Sequence, residues 1–223
     1  MGFNPFEVKS CALIVQMDGL PSAINLRELR DRVERCSSAS IYHHFVERQL
    51  RPTFDDPEFT NDFATWAYRA IGDDVLAERL GILDPFLTDS IESLRAEVLE
   101  ILEERLSEID HIPWAGPGKG FFFMRASIVV FDTGMRINEP RNILWALTRM
   151  TRRSVYYHFV EGRSRHHGGG DDFSEWLRAG GELGRKLAGA FSSVDVQFYS
   201  LRGLRDELIY RARQIMQDDA GEP

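Results

Sequence analysis

The sequence predicts a mostly helical α+β protein, a tandem duplication of one strand-plus-about-four-helices unit packed with pseudo-two-fold symmetry. Three observations predict it. An eight-residue block occurs twice, SIYHHFVE at 40–47 and SVYYHFVE at 154–161, differing by Ile41/Val155 and His43/Tyr157. Downstream, NDFATW at 61–66 returns as DDFSEW at 171–176, and DSIESLRAE at 89–97 as YSLRGLRDE at 199–207. Between the copies, Asp110–Gly120 holds Pro113, Gly116, Pro117, Gly118 and Gly120, which is linker chemistry. A repeat of about half the chain is a duplicated domain, not a short-repeat solenoid. The expected division is 1–109, copy one; 110–120, linker; 121–223, copy two.

Each copy opens with a strand. In copy two, Phe122–Phe131 alternates with one wholly apolar face; in copy one, Phe6 and Val8 alternate with Glu7 and Lys9, and Cys11–Val15 then runs apolar. A lone strand is unstable, so the two are expected to pair or to join others. A helix follows, with Leu26, Leu29, Val33 and Cys36 at helical spacing, matched by Ile143, Leu147 and Met150 after Pro140 in a first-turn position. The repeated block has strand composition. It reads as helix because His44 and Glu47 then share a face, with Ser40 and Ser154 as N-caps.

Glu47 and Glu161 are 114 positions apart, Phe63 and Phe173 only 110. Copy two has therefore lost four residues between 48 and 60, where copy one has Pro52 and Pro57 and copy two has Gly168–Gly170. Length change and breakers together mark a surface loop. Asn61 and Asp171 read as N-caps of a helix carrying Phe63, Trp66, Ala67 and Ala70, or Phe173, Trp176 and Leu177, stopped by Gly72 or by Gly180 and Gly181. A short helix with Val75, Leu76 and Leu80 (Leu183 and Leu187) comes next. The last helix has Ile91, Leu94, Val98, Ile101 and Leu102 on one stripe, echoed by Leu201, Leu204, Leu208 and Ile215.

Composition bounds the function. The 223 residues are 43% hydrophobic, with no run approaching the roughly 18 apolar residues of a membrane helix. The start, MGFNPFEVK, has no signal-peptide pattern, and Phe6 stands where a myristoylation motif needs Ser or Thr. Cys11 and Cys36 read as free, packed thiols, and the chain as soluble and cytoplasmic. Net charge is −8, divided as −11 over residues 1–110 and +3 over 111–223. An acidic whole argues against nucleic-acid binding. The asymmetry fits either docked halves with complementary fields or drift of exposed residues.

Three constellations carry candidate chemistry. His44 with Glu47, and His158 with Glu161, stand at i, i+3. Two such pairs facing each other, with Asp62 and Asp172 as added oxygens, would suit Zn, Mn or Fe. The alternative, favoured because short motifs match often by chance, is a semi-buried histidine bonded to a neighbouring carboxylate. A second set, Tyr42, Tyr156, Trp66, Trp176, Arg95 and Arg205, offers aromatic faces and guanidinium forks for a sugar or sugar phosphate. Against it, tryptophans at helical spacing are usually core and arginines at a helix start cap carbonyls. Third, Arg149, Arg152, Arg153, Arg163, Arg165, His166 and His167 form a basic cluster able to hold an anionic ligand or an acidic partner, or else a solvated loop. No Walker loop, dinucleotide fingerprint, catalytic-triad cue or cysteine zinc spacing is present.

SIYHHF, NDFATW, the run DDVLAERL at 73–80 and the Leu94–Arg95 helix start resemble an uncharacterised prokaryotic domain family. Its pattern is Ser-Ile-Tyr-Tyr-His, then Asn-Asp-Phe-Ala-x-Trp, then Leu-Gly-Glu-Arg-Leu. Copy one departs at Ala77, where the pattern has Gly; copy two keeps Tyr156, His158, Phe173 and Trp176 and lacks the Glu-Arg-Leu element. Members are often described beside trehalose- or glycogen-related glycosyltransferases, so the resemblance implies an accessory role near carbohydrate metabolism and no mechanism. The reading is a non-catalytic binding or regulatory module without a required cofactor, engaging a protein or a small anionic ligand. The alternatives are a metal-dependent hydrolase with Asp62 or Asp172 as base, and a structural assembly subunit.

Overall fold

Two strands, β1 (Phe6–Met17) and β2 (Met124–Ile137), pair as the sheet of an otherwise helical chain. The structure is a computed structural model and describes residues 4–50, 59–166 and 170–221. Pro52, Pro57, His167, Gly168 and Gly169 lie outside the described residues. The strands run antiparallel. Thr133 Oγ1 donates to the Val8 carbonyl and the Asp18 N–H to the Phe123 carbonyl, so partners in the two strands keep a constant index sum.

The chain forms two compact units, and their boundary crosses both strands. The central unit is Leu13–Ser127; the terminal unit combines Met1–Ala12 with Ile128–Pro223. This differs from the division at 110–120 expected from the repeat. The start of β1 belongs with the helices of the C-terminal half, and the start of β2 with those of the N-terminal half. The physical reason is that each antiparallel partner completes the layer of whichever unit its buried residues enter. In β1, Phe6, Val8, Ser10 and Cys11 are buried, whereas Ile14–Met17 is exposed.

In the central unit, α1 (Leu26–Val33) starts at Asn25, whose side chain accepts from the Glu28 N–H. Next comes α2 (Ser38–Phe45), so the repeated block is helical as expected, but its cap is Ser37, not Ser40. Asn61 caps α3 (Asp62–Trp66) and also donates to the Leu80 carbonyl. The helix then widens into a π turn, Ala67–Ile71, closed by Gly72 at φ 67°. Asp73 caps α4 (Asp74–Gly81), and Ser90 caps α5 (Ile91–Glu108), which buries Leu94, Val98 and Leu102. The 110–120 segment is tied in, not a free linker: Trp114 bridges to Asn25 and Phe121 to Ala23.

The terminal unit repeats these devices. A 3-10 turn at Pro140–Asn142 leads into α6 (Ile143–Arg149). Thr151, not Ser154, caps α7 (Arg152–Val155), which passes into a second π turn, Tyr156–Val160, and then α8 (Gly162–Arg165). Asp171 caps α9 (Asp172–Arg178) as expected. The last two helices, α10 (Gly181–Ser192) and α11 (Leu201–Gly221), close the unit, with Leu187, Phe191, Leu201, Leu204, Leu208 and Ala212 buried. Among the described residues no helix is long and apolar enough to cross a membrane.

Candidate functional site

Both units hold the same histidine arrangement. In the central unit α2 carries His44, nearly fully buried, whose Nδ1 lies 2.7 Å from Asp62 Oδ2 at the start of α3. Its Nε2 accepts the main-chain N–H of Met124 at 3.0 Å. In the terminal unit His158 Nδ1 lies 2.7 Å from Asp172 Oδ2, and Nε2 accepts the Lys9 N–H at 2.8 Å. An Nε2 that accepts from a main-chain N–H carries no proton, so the neutral ring is protonated on Nδ1 and donates to the aspartate. Both ring nitrogens are engaged. Burial pushes the His158 imidazole below the ordinary histidine range, against the opposing pull of Asp172. That direction suits a neutral ring accepting a main-chain donor.

A tryptophan adds a second tie in each unit. Trp66 Nε1 donates to the Lys119 carbonyl and Trp176 Nε1 to the Asn4 carbonyl, both at 2.7 Å. Between the ties sits a phenylalanine. Phe121 lies 4.7 Å from both the His44 and Phe63 rings, centroid to centroid, and Phe6 lies 4.7 Å from His158 and 5.2 Å from Phe173. Each strand start is thus held by a histidine, a tryptophan and a stacked ring.

The surroundings of the two aspartates differ. Asp62 is approached by Arg48 Nε at 3.1 Å. Asp172 takes Arg165 at 2.7 Å and His166 Nε2 at 2.8 Å. Burial alone would raise the Asp172 carboxyl, but the bonds from His158 and His166 and the Arg165 charge hold it below the usual carboxylate range. Its neighbour Asp171 is pushed up by burial, with Ser174 bonds working against the shift.

In the central unit the expected His44–Glu47 pairing gives way to other partners. Glu47 is bonded by His43 Nδ1 at 2.9 Å, one turn away at i, i+4, and not by His44. Ligation by His44 or His158 would require breaking either the aspartate bond or the main-chain bond. Among the described residues no group of three or more His, Cys, Asp or Glu side chains is placed to hold a metal ion. Glu161 follows the π turn and is half-buried.

The expected ligand-binding arginines all make contacts within the chain. Arg95 bonds the Val33 carbonyl, Cys36 and Glu92; Arg205 bonds the Met150 carbonyl. Arg163 donates to the Val194 carbonyl and lies over the Phe159 ring. Arg165, besides Asp172, donates to the Tyr157 carbonyl and stacks on its ring. Tyr156 is fully buried and Tyr42 half-buried; neither lines the pocket described next. Burial raises the Cys36 thiol to about 11, although Arg95 draws it down, so it is not a nucleophile at neutral pH.

The central unit contains a pocket of about 490 Å³ that residue patterns did not reveal. Its wall is Trp66, Ala70, Gly120, Phe121, Phe122 and Met124; His44, Asp62 and Thr65 reach it from one side, and Arg69 and Lys119 supply cations. Arg69 and Ala70 lie on the π turn after α3; Ala70 is on the expected apolar stripe, and Arg69, a polar residue beside it, is not. Among the described residues neither Arg69 nor Lys119 has an ion-pair partner.

A family model described as "Family of unknown function (DUF5752)" matches residues 3–213. The chain is also similar to a solved structure described as "The structure of OrfY from Thermoproteus tenax", at 28% identity over 97% of each chain and a TM-score of 0.78. No curated protein matches it.

Proposed function

Because the chain belongs to the DUF5752 family of unknown function, its role must come from the geometry, and we propose a non-catalytic ligand-binding module. The observation that carries this reading is the commitment of both histidines. A His–Asp pair beside a pocket has the parts of a general base, but catalysis needs a free Nε2 lone pair, and His44 and His158 spend theirs on the N–H groups of Met124 and Lys9. They act as clasps on the strand starts.

In this reading the chain is an internal duplication whose copies exchange strands and have divided roles. The 110-residue offset places Ala179 opposite Arg69, and the matching tryptophan bonds place Asn4 opposite Lys119, so one copy keeps the pocket cations. In the other, Arg165 and His166 already occupy the aspartate. One ligand per chain follows, bound in the central unit. An accessory role beside carbohydrate-active enzymes is the setting the sequence resemblance implies.

The test is a thermal-shift screen of the full chain against neutral, anionic and cationic metabolites and divalent metals, with Ala70→Phe as the pocket-filling variant. A ligand at a hundred times its Kd adds about 2.7 kcal/mol to stability. The reading expects a compound that raises Tm in the wild type and not in the variant. Metal-dependent phosphoester turnover lost in His44→Gln and His158→Gln would contradict it.

A further inference from the structure

Building on the binding-module reading, we propose that the central-unit pocket takes a small organic phosphate monoester with a flat apolar body. Arg69 and Lys119 hold the phosphate, and Phe122 with Met124 supports the body. The charges decide the anion. In a chain of net charge −8, these two cations share one pocket and have no ion-pair partner among the described residues. Two positive charges match the nearly −2 charge of a monoester at neutral pH better than one carboxylate. Asp62, the one carboxylate in the lining, does not cancel them: its oxygens are taken by Arg48 Nε at 3.1 Å and His44 Nδ1 at 2.7 Å.

The wall decides the body. Trp66 and Phe121 are buried and already engaged, Trp66 Nε1 by the Lys119 carbonyl and Phe121 by the His44 and Phe63 rings. Phe122 is 49% exposed and beside them, so its ring is the aromatic surface left for a ligand. Ala70, Gly120 and Met124 add a non-hydrogen-bonding surround, the composition of sites that bury an apolar body and fix it with a few polar groups. The Trp66 bond also ties the main chain at Lys119 to α3, so that cation is positioned before a ligand enters.

Titration calorimetry on the full chain with phenyl phosphate, inorganic phosphate and benzyl alcohol separates the two contributions. Phenyl phosphate is expected to bind one per chain, about ten-fold or more tighter than either fragment. Arg69→Ala/Lys119→Ala, at exposed positions, should lose about ten-fold or more of that affinity with Tm unchanged; Phe122→Ala should bring phenyl phosphate towards inorganic phosphate. Equal affinity for phenyl phosphate and phosphate, affinity unchanged in the double variant, or no binding of phenyl phosphate would each overturn the assignment. If phenyl phosphate fails while another compound gives a Tm shift abolished by Ala70→Phe, the ligand class is wrong and the binding module stands. If nothing is sensitive to Ala70→Phe, both fail.

Discussion

His158 concentrates the chemistry of one residue: a buried neutral imidazole donating to Asp172 and accepting from Lys9. Its proton affinity is lowered in the fold, from an ordinary value of 6.5. Between that value and the lower folded one, the unfolded chain binds more protons, so stability is complete above pH 6.5 and declines as pH falls below it. Asp172, lowered from 3.8, gives up its contribution only further into acid. Asp171, raised from 3.8, acts with the opposite sign: ionising it in the fold costs stability as pH rises, and acid relieves that cost. We predict that denaturation midpoints fall between pH 7 and 5 in the wild type, and that His158→Gln flattens this slope while lowering stability at pH 7 by about 1–3 kcal/mol. An unchanged slope would mean that His158 does not titrate as described. At this scale the sequence was partly legible. A histidine bonded to a neighbouring carboxylate was the favoured reading, and Asn61 and Asp171 were recognisable as caps. Spacing pointed to Glu47, however, because helical neighbours are visible in a sequence. Asp62 was read only as an added oxygen of the metal set; its direct bond to His44 from 18 residues on, and a main-chain donor 80 residues away, are not visible there.

Elements were legible where apolar period and breakers agree, as in α1, α5 and α11, and blurred where a helix changes pitch. The π turn at Ala67–Ile71 reads as ordinary helix up to Gly72: its stripe residues Ala67 and Ala70 were legible, its change of pitch was not. Helices α9 and α10 approach closely at Gly184 of α10. A Cβ there would meet the Leu177 carbonyl oxygen of α9 at 2.2 Å, a backbone atom with nowhere to move. Gly184→Ala should therefore cost about 1–3 kcal/mol despite Ala being the better helix former. A urea melt with an unshifted midpoint would show that α9 and α10 are not packed this tightly. Gly189, on the same helix with open space around its Cβ position, is the control: Ala there should be neutral or stabilising.

At the scale of the molecule, the repeated sequence blocks were plain, but the unit that each strand start joins was not. Repeat alignment gives the order of segments along the chain and says nothing of which helices a strand packs on. Phe6 falls in the expected first copy, yet packs on His158, Phe173 and Trp176; Phe121 falls in the expected second copy and packs on His44 and Phe63. Phe6→Ala should cost about 3–5 kcal/mol and raise amide exchange in α9, α10 and α11 while leaving α1, α3 and α5 protected. Phe121→Ala should do the reverse. Exchange rising first in α1 to α5 for Phe6→Ala would place the strand start with its own copy.

In the proposed reading the two histidines close the fold instead of acting on a substrate or metal. Long-range 1H–15N NMR of the imidazoles reads it directly. The account predicts that His44 and His158 are neutral Nδ1–H tautomers at pH 7, with Nε2 shifts of a hydrogen-bonded acceptor that Zn, Mn or Fe does not move. An Nε2–H tautomer, or a ring nitrogen that shifts when one of those metals is added, would contradict it.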